Sequence, residues 1–376
     1  MKIVVASDSF KGSLTSREVA EAAVRSIRQV LPICELVGVN VADGGEGTVD
    51  AVVEALGGEI VATVVSDPLG RPISARYGIV GKMAIIEMAA VSGLPLLREE
   101  ERNPLLTSTY GTGEMIMDAV KRGCRDFLVG VGGSATNDAG MGMLQALGFR
   151  FYDIDDQEII DGCGGRLQDV ARIDDTGVMD AVRQCRFTVA CDVDTPFGGS
   201  EGAAYVFAPQ KGADMEMVAR LDSGMVSFAK VIEKTYGMDV TSMAGAGAAG
   251  GMGGGFYAFL NASLKRGVDM VLDAIDFDSI IRGADLVITG EGKIDYQTVK
   301  GKTAAGVLAR AKAQDILVVA IAGRVEMCDS VAQMGFAGVY PIMENEMPLA
   351  VAMQPDCAAA NVEKTVKKIV TNLHIS

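Results

Sequence analysis

Eight acids in this sequence sit where chemistry on an anionic substrate would be done. Asp8, Asp43, Glu46, Asp138, Asp192, Asp194, Glu291 and Asp295 each follow or flank a short apolar run and lie in glycine-rich surroundings. Lys11 and Lys293 stand beside them in sequence. One such acid is ordinarily a helix cap or a turn former. Eight together suit a pocket that holds Mg²⁺ and sets a hydroxyl against a phosphate. Mg²⁺ takes carboxylate and water oxygens, and a carboxylate beside the attacking hydroxyl accepts its proton. Lysines offset the charge of the transferred group. Phosphoryl transfer is the chemistry this set supports. The single histidine, His374, is the third residue from the C-terminal end, which argues against Ser or Cys triads and against a His-based metal site.

A second chemical feature is the stretch from Asp126 to Gly142, where the apolar run Phe127–Val131 opens into Gly132, Gly133, Ser134 and Thr136. Strand, glycine turn and helix start would present backbone N–H groups to an anion, and Gly132 and Gly133 would let a phosphate approach the main chain. Gly130 to Ala135 also fits a dinucleotide fingerprint, with Asp153 placed as a ribose-binding acid. Asn137 and Asp138 at the helix entrance count against that reading, because a pyrophosphate disfavours a carboxylate there. Gly301-Lys302-Thr303 is no P-loop, since the glycine needed five residues earlier is Tyr296. The run Ala244–Gly255 could be a linker, a ligand contact or a place of close backbone packing. Its apolar flanks and lack of Ser, Glu and Lys disfavour the linker.

The elements that must position these residues follow an α/β rhythm at both ends of the chain. Ile3–Ala6 and Leu36–Val41 read as strands followed by helices, the first capped by Ser13 or Thr15. Glu59–Ser66, Ile73–Val80 and Met83–Met88 read as antiparallel strands joined by tight turns. Further strands are expected at 187–190, 286–289, 316–321 and 338–342, and a long helix at 214–236. The layout this predicts is discontinuous: 1–58, 106–148 and 265–376 form one parallel-sheet domain, and 59–105 with 149–264 form an inserted mixed α/β domain. Facing loops would then close a cleft holding the active site.

At 376 residues with 49% hydrophobic and 22% charged residues, the chain has apolar surface for two cores. A net charge of −15 argues against nucleic acid and anionic membrane as partners. No run reaches transmembrane length, and the seven cysteines include no C-x-x-C, so a cytoplasmic protein is expected.

Taken in order, the motifs resemble those of the type I glycerate kinase family. They are Asp8-Ser-Phe-Lys-Gly-Ser13, Ala42-Asp-Gly-Gly-Glu-Gly47, Tyr110-Gly-Thr-Gly-Glu114 and Gly132-Gly-Ser-Ala-Thr-Asn-Asp138. Then follow Cys191-Asp-Val193, Ala208-Pro-Gln-Lys-Gly212, the 244–251 glycine run and Thr289-Gly-Glu-Gly292 with Asp295. The resemblance implies two different α/β domains, one Rossmann-like and one inserted. It implies ATP-dependent phosphorylation of D-glycerate at the 2-hydroxyl, with Mg²⁺ as cofactor and a homodimer among the assemblies to be tested. On this reading Lys11, Asp192 and Asp295 are catalytic, Lys11 touching the transferred phosphate or the glycerate carboxylate. Asp43, Glu46 and Asp192 are candidates for Mg²⁺. Asp8, Ser9, Gly44, Gly45, Gly132, Gly133, Ser134, Thr136, Asn137, Asp138, Lys211, Gly290 and Glu291 are candidates for substrate and phosphate. Two places depart from the family pattern: Lys300, where a His is usual, and Asp194-Thr195-Pro196-Phe197. Two other classes remain open at this point: an NAD-dependent oxidoreductase using 130–153, and a non-catalytic metabolite sensor on a kinase scaffold.

Overall fold

The structure, a computed structural model, describes residues 1–343 and 347–372, apart from the side chain of Lys300. His374 and the Lys300 side chain therefore lie outside the described residues. In chain order the strands are β1 (Lys2–Ser7), β2 (Glu35–Asn40), β3 (Glu59–Ser66), β4 (Pro72–Val80), β5 (Met83–Glu87), β6 (Asp126–Gly130) and β7 (Arg150–Tyr152). They continue with β8 (Glu158–Ile159), β9 (Arg172–Asp174), β10 (Arg186–Ala190), β11 (Ser263–Lys265), β12 (Leu286–Ile294), β13 (Leu317–Val325) and β14 (Gly338–Pro341). Contacts divide the chain into two compact units. The first is Met1–Asp43, Asp50–Leu56 and Val268–Ser376; the second is Gly44–Val49 and Gly57–Gly267.

The first unit is built on an all-parallel sheet in the order β14-β13-β12-β1-β2. The central strand reads Ile3, Val4, Val5, Ala6 without alternation, and all four side chains are fully buried. That is the signature of a strand covered on both faces. On one face Ile3 and Val5 pack with Val19, Ala23 and Ile27 of the helix Ser16–Val30 and with Val362 and Val366 of the helix Pro355–Asn372. On the other, Val4 and Ala6 pack with Val268, Leu272 and Val307. Each such Val, Leu or Ile contributes about 1.5–3 kcal/mol on burial. Thr15 starts the first helix with a reciprocal capping box to Glu18, so the second of the two expected caps is the one used. In this strand order the chain changes direction across the sheet between β1 and β12. A crevice opens at their carboxyl ends, where open α/β sheets bind ligands.

The second unit carries a six-stranded sheet in the order β11-β10-β6-β5-β4-β3. β5, β6, β10 and β11 run parallel, and β4 and β3 are antiparallel. The β3–β4 turn is fixed by Asp67, whose Oδ1 accepts from the N–H groups of Leu69 and Arg71. A small antiparallel sheet, β8-β7-β9, belongs to the same unit. Its core is aromatic: Phe127 stacks on Phe187 at 4.8 Å between ring centroids, and Phe151, Phe228 and Phe259 form an edge-and-face cluster.

The boundaries differ from the sequence reading: 44–49, 57–58 and 265–267, expected in the first domain, fall in the second unit, and so does 106–148. Residues 106–148 were expected with the terminal segments because β6 has the apolar run of a parallel strand. β6 instead hydrogen bonds in register to β5 and β10, Phe127 standing opposite both Ala84 and Phe187, and so lies in the second unit. Both sheets contain parallel strands, and periodicity does not say which sheet a parallel strand joins.

Candidate active site

In the first unit the chemistry collects at the carboxyl ends of β1 and β12. The Asp8 N–H donates to the Gly290 carbonyl at 2.9 Å, which ties the two strand ends together. Asp8 is buried; its Oδ2 accepts from the Thr303 hydroxyl at 2.6 Å and its Oδ1 from the Ser9 N–H at 2.6 Å. Burial, and after it the Asp43 carboxylate, push the Asp8 carboxyl up to about 6 in spite of those bonds. Glu291 is also buried, and its desolvation carries it to about 7, although the Lys302 ammonium lies 3.6 Å from Oε2. Its other oxygen, Oε1, is buried with no hydrogen-bond partner among the described residues, as is the hydroxyl of Thr289 on the same strand. A buried orphan acceptor is costly unless a ligand fills the gap. Asp295 is different. Burial opposes its charge, but the Lys293 ammonium at 2.9 Å and the Gln297 N–H outweigh it and hold the carboxyl below its ordinary range.

Next to this cluster a cavity of about 130 Å³ opens in the same unit. Its walls are mostly apolar, with Phe10, Ile342, Leu349 and Met353 among them, and Lys11 and Arg324 are its cationic groups. Gly290, expected as a phosphate contact, faces instead into the sheet: a Cβ there would come within 2.6 Å of the Ile321 carbonyl oxygen.

The second unit holds a different kind of pocket, about 240 Å³, lined by Gly44, Gly45, Gly130, Gly132, Glu46 and Glu87 with a few small apolar side chains. Gly44 has to be glycine. Its φ is +84°, and a Cβ would lie 2.6 Å from that of Ala190 and 2.7 Å from the Gly267 Cα. Asp192, just beyond β10, accepts from the Gly267 N–H at 2.9 Å through Oδ1. Glu87, whose Oε1 accepts from the Val49 N–H, is an acid the sequence reading passed over. The signal was there: Ala84-Ile-Ile-Glu87 is another apolar strand ending in a carboxylate.

The stretch 131–142 is not the expected strand–turn–helix cradle. Its helix, Met141–Ala146, is only six residues long and begins well after Gly132 and Gly133. Those two glycines are exposed, whereas Ser134, Thr136, Asn137 and Asp138 are buried. The Asp138 carboxylate accepts from the Thr109 N–H at 2.9 Å, the Thr109 hydroxyl at 2.7 Å and the N–H groups of Gly140 and Gly142. It fastens two segments together and presents no oxygen to a ligand. Lys211 is equally enclosed, its ammonium donating to Ser134 Oγ at 2.7 Å and the Thr136 carbonyl at 2.6 Å. Burial lowers its pKa to about 7, opposed by the charge of Asp138. Among the described residues, the Asn137 Oδ1 and Thr136 Oγ1 atoms are buried without a hydrogen-bond partner in the same neighbourhood.

The glycine run takes the packing alternative. The helix Ala248–Leu260 contains three consecutive left-handed residues, Ala249, Gly250 and Gly251. A Cβ at Gly250 would sit 2.2 Å from the Thr136 carbonyl oxygen, and one at Gly255 would sit 2.3 Å from that of Ala139. The run therefore presses backbone to backbone on 136–140. The dinucleotide reading also fails on geometry. Asp153 follows β7 of the small antiparallel sheet, and its Oδ1 accepts from the N–H groups of Asp155 and Gln157 in its own turn.

Of the expected metal residues, Asp43 lies in the first unit and Glu46 and Asp192 in the second. Among the described residues no three His, Cys, Asp or Glu side chains gather as a ready metal site. Mg²⁺ does not require one, because it keeps several waters and takes one or two carboxylates plus substrate phosphates. Glu291 Oε1, buried and unbonded among the described residues, is a single oxygen of the type such an ion takes.

Acid-bearing strand ends in two α/β units, one beside an apolar cavity and one in a glycine-lined pocket, define a small-molecule enzyme scaffold. Over residues 3–374 the sequence matches the model of the glycerate kinase family, and the chain belongs to that family. It is 46% identical to a glycerate kinase of Bacillus subtilis (strain 168), covering 100% of this chain and 98% of that one. It is 44% identical to the glycerate 2-kinase of Escherichia coli (strain K12), covering 91% of each. A solved structure described as a glycerate kinase 2 from Salmonella typhimurium LT2 shares 43% identity and superposes with a TM-score of 0.90. That match covers 99% of this chain and 98% of the other. Among the described residues no helix is long and apolar enough to cross a membrane.

Proposed function

We propose that this chain transfers the γ-phosphoryl group of ATP to D-glycerate, at the 2-hydroxyl, giving 2-phosphoglycerate and ADP. The observation that carries the reading is end-to-end similarity to proteins named glycerate kinase and glycerate 2-kinase. The glycine-lined pocket of the second unit suits a short polar acid. Gly44, Gly45 and Gly132 expose backbone there, and Asp192 stands beyond the neighbouring strand to take the hydroxyl proton. In the first unit Lys11 neutralises the transferred phosphate, and Asp43 with Glu291 would hold Mg²⁺, which draws phosphate oxygens together and offsets their charge. Asp295, already paired with Lys293, is the weaker base because its carboxyl is held below the ordinary range. The seven free cysteines support placement in a reducing cytoplasm.

The test is an ADP-release assay with D-glycerate and a panel of related hydroxy acids, with NMR of the product to locate the phosphate. Phosphate on the 3-hydroxyl would overturn the regiochemistry, and turnover only with another acid would overturn the acceptor. Asp192→Asn should lower kcat by about 10²–10⁴-fold with Tm nearly unchanged. Full activity in that variant would remove Asp192 from the chemistry.

A further inference from the structure

The cavity in the first unit has a composition that glycerate does not explain. Every carbon of glycerate carries an oxygen, whereas Phe10, Ile342, Met343, Leu349, Ala352 and Met353 present carbon and sulfur. Its 130 Å³ would admit on the order of ten waters, so it is ligand-sized and larger than a packing defect. It lies at the carboxyl ends of β1, β12, β13 and β14, with Lys11 just after β1 and Arg324 near the end of β13. That is the switch-point position at which open parallel sheets take nucleotides.

Two local features fit a particular class of ligand. First, Asn361 of the helix Pro355–Asn372 lines the cavity, and among the described residues its amide nitrogen meets sulfur atoms, Met347 Sδ at 3.7 Å and Cys357 Sγ at 3.8 Å. Sulfur is a weak acceptor, so the amide gives little up by turning to a better partner. An asparagine amide pairs two-pronged with the N6 and N7 edge of adenine. Second, Gly292 and Gly323 form part of the wall without side chains. A Cβ on Gly323 would come 2.7 Å from the Gly292 carbonyl oxygen, so bare backbone is enforced there and a flat ring can lie against it.

We propose that this cavity seats the adenine base of the phosphoryl donor. Asn361 reads the base edge, and Lys11 and Arg324 anchor the phosphates that lead toward Asp8 and Glu291. The inference rests on the reading of the chain as an ATP-dependent kinase and adds to it which unit holds the nucleotide. The apolar walls supply affinity through buried ring surface, and the two cations supply charge complementarity to phosphate.

The full-length chain is titrated with a fluorescent ADP analogue and, separately, assayed for KM of ATP and of D-glycerate. Ala352→Phe, which fills the cavity from a half-buried position, should weaken ADP binding and raise the ATP KM by about tenfold or more, with the glycerate KM within about twofold. Asn361→Leu, a milder change, should cut the preference for ATP over GTP by about tenfold while the protein melts as wild type does. Unchanged ADP affinity and unchanged ATP-to-GTP preference in both folded variants would overturn the proposal, as would a rise in the glycerate KM alone. A wild-type chain that binds ADP through this cavity yet leaves glycerate untouched would sink the kinase assignment and leave the nucleotide site standing.

Discussion

At the scale of single residues, Lys211 has the most informative environment. An ammonium enclosed by protein, holding Ser134 and the Thr136 carbonyl, is a fastener that loses its charge easily. In the unfolded chain it keeps its proton up to 10.5, and in the folded chain it gives the proton up near 7. Between those values the unfolded state binds more protons, so this lysine makes the fold more stable as pH rises from about 7 toward 10.5. Below about 7 its desolvated charge costs the folded state its full penalty. Lys211→Met leaves the two oxygens without their donor, which costs about 1–3 kcal/mol, and removes that pH dependence. Urea midpoints of wild type and variant, taken from pH 7 to 10, should diverge with wild type gaining. A constant difference across that range would mean the lysine does not titrate there.

At the scale of elements, the strand ends were legible because apolar runs followed by acids and glycines leave a simple trace in sequence. Asp8 after β1, Glu291 within β12 and Asp192 after β10 were all visible in this way. Which sheet β6 joins was not, because a parallel strand looks the same in either unit. The burial of Asp138 and Lys211 was hidden for another reason. Polar residues in a glycine-rich loop read as ligand contacts until the segment packed over them is known. Lys211 closes on Ser134 and Thr136 from more than seventy residues away, and the run packed on 136–140 comes from more than a hundred residues further on. Its role gives a sharp expectation. Gly250→Ala combines a φ of +68° with a Cβ 2.2 Å from the Thr136 oxygen, and should destabilise by at least about 2 kcal/mol. Gly199→Ala is the matched control. Its φ is +92° but nothing lies within 4 Å, so only the backbone penalty of about 1–2 kcal/mol applies. Equal losses in calorimetry would show that conformation, and not the close approach to 136–140, is what Gly250 provides.

At the scale of the whole molecule, charge sets an expectation that no single contact does. The chain carries a formal −15, and both proposed substrates are anions. At about 10 mM salt the screening length is roughly 30 Å, so an approaching glycerate or nucleotide feels most of that charge as repulsion. Near 0.15 M it falls to about 8 Å, and only the charges lining each pocket still act. The local groups are mixed: Lys11 and Arg324 at one cavity attract, and Glu46 and Glu87 at the other do not. Partly buried pairs are screened less than the distant surface charge, so added salt removes repulsion faster than it weakens binding contacts. At fixed free Mg²⁺, kcat/KM for D-glycerate should therefore rise as ionic strength goes from about 10 to 100 mM, by a few-fold. For ATP the rise should be smaller, because Lys11 and Arg324 already oppose the field where the phosphates enter. A steady fall in both parameters from the lowest salt upward would show that local cations outweigh the net charge, and would place the substrate path away from the acidic surface.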